Sequence, residues 1–310
     1  MRTVVFGNRE LACVCLEELL GLEVEVPLVV TSPRDPAGHP GYRCLAEVAR
    51  EHGIAVATPP DATGRSMLDW VRGIRPDIVF SFHYDHRIPR TIRGVPRLGA
   101  YNLHESLLPR WRGPCPIPFV ILHGERESGV SLHEMVEEFD AGDVVAQVRF
   151  PVGPRETATT LFRKALAAAR VCLRRSVPVL LEERAPHAPQ DGAGATVTPS
   201  IARHRAVNRA ASVERFDRTV RAFTHPYPGA RVPFGGEIVV VWAGEPGEGA
   251  DGIPLPLADG TYRVLRLGFE GEPATDWREF LSRFPDAPEH LGVPRPAFKG
   301  STASFRAEEE

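Results

Sequence analysis

Short hydrophobic runs alternate with longer amphipathic segments along the first half of the chain. The runs are rich in β-branched and aromatic residues and predict strands at 3–6, 24–31, 54–57, 77–82 and 99–103. Between them, apolar residues recur every three or four positions, which predicts helices at 45–52 and 67–74. Strands that alternate with helices are typical of an α/β fold with a doubly wound parallel sheet.

The pattern changes further along the chain. Two alternating segments, 129–135 and 144–150, bracket a short acidic loop, and a long helical pattern at 157–181 follows them. After a stretch rich in Ala, Pro and Gly, strands are predicted at 237–242 and 260–267. The predicted organisation is a first domain at 1–185, a linker at 186–206, and a smaller β domain at 207–310 with a frayed tail.

The overall composition is that of an ordinary soluble globular protein: 310 residues, 43% hydrophobic, 25% charged, with a formal net charge of −3. No run approaches the roughly 18 apolar residues that span a bilayer, so we expect no membrane span. Because the first residues enter a strand directly, we expect no signal peptide and a cytoplasmic protein. From Arg231 onward the chain carries 14 acidic and 8 basic residues, which makes nucleic acid an unlikely partner.

The sequence lacks the motifs of two common classes of ligand site. No G-x-G-x-x-G follows the first strand, and G-x-x-x-x-G-K-[ST] is absent, which argues against dinucleotide and triphosphate chemistry. The five cysteines are scattered among apolar neighbours without a second pair at metal-site spacing. We therefore expect free thiols and no metal.

Asn102 and His104 lie two residues apart at the end of the strand predicted at 99–103. Because strand side chains alternate between faces, both point to the same side of the sheet. Ligands of open α/β sheets bind beyond the carboxyl ends of the strands. The two residues are a candidate catalytic pair, although a buried histidine capped by an amide explains them equally well.

A second segment favours the catalytic interpretation. Asp140 lies in the acidic loop between the strands predicted at 129–135 and 144–150. If these strands are joined there, the loop directs Asp140 back toward the carboxyl edge of the sheet.

Together these motifs resemble the folate-dependent formyltransferase family. The matching residues are Asn102-x-His104-x-Ser106-Leu-Leu-Pro109, Gly113, Gly129-Val130, Asp140-x-Gly-Asp143 and His225-Pro-Tyr-Pro-Gly229. Within the family the chain is most similar to the branch that formylates UDP-4-amino-4-deoxy-arabinose, and it is also similar to the methionyl-tRNA formyltransferases. That closer similarity is found in three segments: Val79-Phe-Ser-Phe82, Ser131-Leu-His133 and Val145-Ala-Gln147.

The resemblance implies a Rossmann-like first domain, a smaller carboxy-terminal barrel of the OB type, and 10-formyltetrahydrofolate as co-substrate. It also implies transfer of the formyl group to a primary amine of a small molecule, for which a nucleotide-linked amino sugar is our first expectation. Other possible acceptors are an amino-acid-derived amine or hydroxylamine of a natural-product pathway and methionyl-tRNA. Hydrolysis of 10-formyltetrahydrofolate and a non-catalytic folate-binding module are the alternatives from other classes.

The catalytic residues that the resemblance implies are Asn102, His104 and Asp140. When an amine attacks a formyl carbon, the oxygen gains negative charge, which a donor such as the Asn102 amide stabilises by roughly 3 kcal/mol. The imidazole of His104 can transfer protons at neutral pH. Asp140 either orients His104 or accepts the proton of the amine, and the sequence leaves both roles open.

The resemblance also implies contacts to the two substrates. The implied folate-binding residues are His86, Arg87, Ile88, Val136, Glu137, Glu138 and Phe139. An alternative for Arg87, Glu137 and Glu138 is that their charged side chains face solvent and do not contact folate. The candidate acceptor residues are Ser106, Arg110 and Arg112. Ser106 either contacts substrate or shapes the turn, and the two arginines either meet a phosphate or face water.

One position departs from the family pattern. The sugar enzymes have an arginine directly after the Arg-Gly pair, whereas Pro114 follows Gly113 in this chain. One contact to substrate or folate is therefore missing.

Overall fold

In the computed structural model, which describes residues 1–33, 42–59 and 64–293, seven strands form one sheet. The strands are β1 (Arg2–Gly7), β2 (Glu25–Val30), β3 (Ala55–Ala57), β4 (Ile78–Phe82), β5 (Ala100–His104), β6 (Glu127–Glu134) and β7 (Val144–Pro151). Their order is β3-β2-β1-β4-β5-β6-β7. The first five strands are parallel, and β6 and β7 are antiparallel to their neighbours.

The parallel strands confirm the α/β fold predicted from the alternating pattern, and the sheet is of the Rossmann-like type. β4 is buried along its whole length, and so is β1 after its first residue. Parallel strands with helices on both faces are buried in this way. β6 and β7 add an antiparallel pair to the predicted parallel sheet, because a short loop joins antiparallel strands and a parallel pair requires a longer crossover.

Six helices accompany this sheet in the sequence. They are α1 (Arg9–Gly21), α2 (Leu45–Glu51), α3 (Arg65–Ile74), α4 (Arg90–Arg93), α5 (Pro116–Leu122) and α6 (Ala158–Leu181). The predicted helices at 45–52, 67–74 and 157–181 agree with α2, α3 and α6 to within two residues. Among the helices of the described residues, none is long and apolar enough to cross a bilayer.

The chain divides into two compact units. Their segments are Met1–Pro116, Glu127–Val152 and Phe162–Pro199 for the first, and Ile117–Arg126, Gly153–Leu161 and the chain from Ser200 for the second. Each unit therefore combines segments that are distant in sequence. The tail predicted to fray, at the end of 207–310, lies outside the described residues.

The second unit contains a curled antiparallel sheet. Its strands are β8 (Ala230–Phe234), β9 (Glu237–Pro246), β10 (Ile253–Leu257), β11 (Gly260–Phe269) and β12 (Thr275–Asp276). Their order is β10-β11-β9-β8, and β12 pairs with β11. The helices are α7 (Ile201–His204), α8 (Val213–Phe223), α9 (Trp277–Arg283) and α10 (Ala287–His290). The sequence predicted an OB-type barrel in this part of the chain. The strand pairing shows an antiparallel sheet here.

Residues 186–206, which composition predicts to be a linker, make regular hydrogen bonds. Ala188 exchanges two backbone hydrogen bonds with Val144 of β7, at 2.9 and 3.0 Å. Further along, the amide of Thr198 donates to the carbonyl of Arg112 at 2.7 Å. The part of this segment up to Pro199 belongs to the first unit.

The packing of β4 leads to a stability prediction. Phe80 is fully buried, and its ring stacks on Phe82 with centroids 5.6 Å apart. We expect Phe80→Ala to lower the free energy of unfolding by about 3–5 kcal/mol, because it removes a large apolar side chain and leaves a cavity. Trp70→Ala is the control, since Trp70 is 45% exposed. Urea denaturation followed by circular dichroism measures both, and equal effects would contradict the packing argument.

Candidate active site

Two neighbouring strands place three polar side chains at the carboxyl end of β5. Asn102 and His104 lie on the same face of β5, as predicted. β6 pairs with β5 antiparallel, and in this register His133 lies directly opposite Asn102. The amide nitrogen Nδ2 of Asn102 lies 3.2 Å from Nε2 of His133.

The loop between β6 and β7 brings a carboxylate to this group. Asp140 has a left-handed backbone with φ of +54° and a side chain that is 10% exposed. Its Oδ2 accepts a hydrogen bond from the Gly113 amide at 2.8 Å and lies 3.6 Å from Nδ1 of His104. Its Oδ1 lies 3.3 Å from both Nδ2 of Asn102 and Nε2 of His133. The structure therefore brings together the three residues predicted to be catalytic.

A backbone carbonyl fixes the orientation of His104. Its Nε2 lies 2.7 Å from the carbonyl oxygen of Trp111, which can only accept a hydrogen bond. Nε2 therefore carries the proton, and Nδ1 faces Asp140. The ring is 8% exposed, so this pairing is largely shielded from solvent.

His133 is a member of the site that the sequence interpretation did not assign. Its Nδ1 lies 2.8 Å from the carbonyl of Glu134, so Nδ1 donates, and Nε2 faces Asn102 and Asp140. The signal was the alternating segment 129–135, in which His133 falls on the same side of the predicted strand as Ser131. Alternation alone does not identify the partner strand, so the register of β6 against β5 was needed.

The surroundings of Asp140 favour its ionised form. Burial by itself would raise the pKa of this carboxyl. The charge of His104, the contacts with His133 and the hydrogen bond from the Gly113 amide outweigh burial and hold the pKa of Asp140 well below its usual range. An ionised, shielded carboxylate beside an imidazole is suited to orienting that ring and to stabilising its cationic form, whereas a lowered pKa makes the carboxylate itself a weak base.

The amide of Asn102 is engaged within this cluster. Nδ2 has two hydrogens, and it contacts Oδ1 of Asp140 and Nε2 of His133. In this structure the predicted oxyanion donor therefore also ties the carboxylate to the second imidazole.

Arginine contacts join the two segments predicted to bind folate. The guanidinium of Arg87 donates to the side chain of Glu137 at 2.6 Å and to its carbonyl at 2.7 Å. It also lies over the ring of Phe139, 4.8 Å from the centroid. Arg93, which the sequence interpretation did not assign, donates to Glu137, to the Ile88 carbonyl and to the Met135 carbonyl.

The other predicted folate residues differ in exposure. Val136 and Phe139 are apolar yet 42% and 62% exposed, whereas Ile88 is buried at 4%. His86 packs edge-on against Tyr84, with centroids 5.6 Å apart. Glu138 is exposed, and its carboxylate lies 3.8 Å from Arg112. The loop beside Asp140 therefore presents apolar side chains to solvent.

The three predicted acceptor residues are placed differently from one another. Ser106 is buried and donates to the Arg110 carbonyl at 2.7 Å, which favours its role in shaping the turn. Arg110 is exposed. Arg112 is mostly buried, and its guanidinium donates twice to Oε1 of Gln190, at 2.7 and 3.0 Å.

One group with metal-binding chemistry lies at the base of the β6–β7 loop. Glu134, Asp143 and His187 each offer a ligand atom, and these atoms lie within 4.8 Å of one another. Nδ1 of His187 lies 3.1 Å from Glu134, so an ion pair accounts for this contact. The five cysteines are free thiols, as the sequence predicted.

Residues 1–177 match the family model described as "Formyl transferase". Among solved structures, HypX from Aquifex aeolicus in complex with tetrahydrofolic acid is 19% identical and superposes with a TM-score of 0.69. That match covers 91% of this chain and 47% of HypX, so the chain spans about half of that protein.

Two sugar enzymes have the same fold. WlaRD, a sugar 3N-formyl transferase crystallised with dTDP and 5-N-formyl-THF, is 17% identical with a TM-score of 0.64, and the match covers 85% of this chain and 96% of WlaRD. An N-formyltransferase from Helicobacter canadensis, in complex with folinic acid and dTDP-3-aminofucose, is 18% identical with a TM-score of 0.61. That match covers 84% of this chain and 97% of the other. At these sequence identities, the structural comparisons show a similar fold.

The lowered pKa of Asp140 predicts a pH-dependent contribution to stability. A carboxyl whose pKa is lower in the folded state stabilises the protein above its unfolded pKa of about 3.9, and this stabilisation is lost as pH falls through the folded value. We expect Asp140→Asn to lower the free energy of unfolding by an amount on the order of 2 kcal/mol at pH 7. The difference from the wild type should stay constant down to about pH 5 and shrink below about pH 4. Urea titrations from pH 7 to pH 3 measure it, and a difference that grows on acidification would refute the assignment.

Proposed function

Because the chain belongs to the formyl transferase family, we propose that it transfers the formyl group of 10-formyltetrahydrofolate to a primary amine of a nucleotide-linked amino sugar. The observation that carries this proposal is the convergence of Asn102, His104 and Asp140 in one cluster. The buried carboxylate lies 3.6 Å from the imidazole and 3.3 Å from the amide. These are the residue types that amide-forming transfer from a one-carbon donor requires.

Each of the three residues has a distinct proposed task. Asp140 is ionised and faces Nδ1 of His104, so it orients the imidazole and stabilises its cationic form. The pair takes up the proton that the acceptor amine loses as its nitrogen bonds to the formyl carbon, and gives a proton to the folate nitrogen as the bond between that nitrogen and the formyl carbon breaks. Asn102 supplies N–H donors for the developing negative charge on oxygen once the substrates are bound. When bound, 10-formyltetrahydrofolate supplies the activated formyl unit.

The loops beside Asp140 fit a flat, partly apolar donor. Val136 and Phe139 expose apolar surface, and the backbone between them offers polar groups that can read the edge of a pterin. Arg87 and Arg93 donate hydrogen bonds to the side chain of Glu137 in this loop. The loop is therefore held in place before the donor binds. The same seven residues assigned from the family resemblance are therefore our proposed donor contacts.

A nucleotide-sugar acceptor is favoured over tRNA. The two sugar enzymes with the same fold are crystallised with dTDP or dTDP-3-aminofucose. Arg110 is exposed in the loop after β5 and is the candidate contact for a phosphate of such an acceptor. The proposed OB-like domain, 207–310, carries a net charge of −6 in its sequence from Arg231 onward, and this charge would repel a polynucleotide.

An acceptor screen tests the proposal. The enzyme is incubated with 10-formyltetrahydrofolate and, in parallel, with dTDP- and UDP-linked amino sugars, amino acids, hydroxylamines and methionyl-tRNA. We expect one nucleotide-linked amino sugar to gain one formyl group by mass spectrometry. Formate release without any acceptor would indicate a hydrolase, and formylation of methionyl-tRNA alone would overturn the acceptor class.

His104 is predicted to be essential for turnover. We expect His104→Ala to lower kcat by at least about 100-fold, because positioned proton transfer contributes about that much or more. The matched control is His52→Ala, since His52 is an exposed histidine at the end of α2. Initial rates at saturating donor and acceptor measure both variants. A His104→Ala enzyme with wild-type kcat would remove His104 from the mechanism.

The arginine contacts predict a selective effect on donor binding. Arg87→Ala removes the ion pair with Glu137 and the contact with the Phe139 ring. We expect the KM for 10-formyltetrahydrofolate to rise about 10-fold with little change in kcat, because the loss affects binding rather than the transition state. Arg90→Ala, an exposed arginine three residues away, is the control. An unchanged KM would mean that the segment 86–88 does not contact the donor.

A further inference from the structure

One segment of the first unit crosses both loops that build the site. We call residues 187–198 the strap. Its first part pairs with β7, where Ala188 and Val144 exchange backbone hydrogen bonds of 2.9 and 3.0 Å. Its last part runs beside the loop that follows β5, where the Arg112 amide donates to the Thr196 carbonyl at 2.8 Å.

Between these anchors, the side chain of Gln190 joins the two loops directly. Its Nε2 donates to the Asp140 carbonyl and to the Gly142 carbonyl, each at 2.7 Å. Its Oε1 accepts from Nε and from a terminal nitrogen of Arg112, at 3.0 and 2.7 Å. A single amide therefore uses both of its hydrogens and its oxygen on the two loops.

Two of these bonds act at a residue whose backbone conformation is uncommon. Asp140 is a non-glycine residue with φ of +54°, a conformation that costs free energy and persists where neighbouring contacts impose it. Gln190 bonds the carbonyl of that same residue. Gln190 also accepts hydrogen bonds from Arg112. Arg112 precedes Gly113, whose amide donates to the Asp140 carboxylate at 2.8 Å.

We propose that Gln190 is a positioning residue for the formyl transfer reaction, which sets the distance between the Asp140 carboxylate and the imidazole of His104. The inference rests on the proposed function. Gln190 lies outside the residues that contact either imidazole, so its effect passes through the backbone of Asp140 and through Arg112. The segment that composition marks as a linker thus takes part in shaping the site.

Two substitutions separate the donor role of Gln190 from its acceptor role. Gln190→Met keeps the length of the side chain and removes all four hydrogen bonds. Gln190→Glu keeps an acceptor for Arg112 but places a carboxylate against the two carbonyls. Asp191→Asn is the matched control, because it changes the next, exposed side chain and keeps an acceptor for the Ala193 amide.

We expect Gln190→Met and Gln190→Glu each to lower kcat by about 10- to 100-fold with a smaller change in KM, since misplacing a reacting group by about 1 Å has that effect. The titratable groups facing Asp140 are His104 from β5 and His133 from β6, and their contacts weaken when the loop shifts. Asp191→Asn should match the wild type in both kcat and KM.

Hydrogen–deuterium exchange in 136–143 provides a readout that needs no turnover. Faster exchange in folded Gln190→Met than in the wild type and in Asp191→Asn supports the inference even if no acceptor is formylated, in which case the proposed function alone fails. Unchanged exchange, or a Gln190→Glu enzyme with wild-type kcat, overturns the positioning role while leaving formyl transfer intact.

Discussion

The structure of the site depends on one shielded carboxylate held between two imidazoles. Asp140 is the point at which three separate segments meet: β5 through Asn102 and His104, β6 through His133, and the loop after β5 through the Gly113 amide. A charge with 10% exposure is costly unless each of its lone pairs has a partner. The neighbours of Asp140 meet that requirement, and the same contacts fix where the imidazole of His104 can point.

The sheet explains why these segments meet. β5 is parallel to β4, whereas β6 is antiparallel to β5, so Glu134 at the end of β6 lies opposite Tyr101 near the start of β5. From there the β6–β7 loop places Oδ2 of Asp140 3.6 Å from Nδ1 of His104, the last residue of β5. A change of strand direction therefore brings a residue 36 positions after His104 into the same cleft. A further parallel strand would have required a long crossover instead. The antiparallel pair is thus the part of the fold on which the chemistry relies.

Much of this arrangement could be predicted from the sequence, and the limits have physical reasons. Long periodic segments such as α6 and short buried strands such as β4 have strong local signals, and the family motif placed Asn102, His104 and Asp140 in one site. His133 and Gln190 were not assigned. The first requires the register between two strands, and the second lies in a stretch whose composition resembles a linker. Their contacts arise from pairing between distant segments, which local propensity does not encode.

The edge position of β7 has an evolutionary consequence. β7 ends the hydrogen-bonded order of the sheet, and one part of its outer edge is covered by Ala188. A hairpin at the border of a sheet can lengthen, shorten or be exchanged without moving the strands of the core. The exposed side chains of 136–139 in this hairpin can therefore change while Asp140, the next residue, keeps its contacts with the two imidazoles.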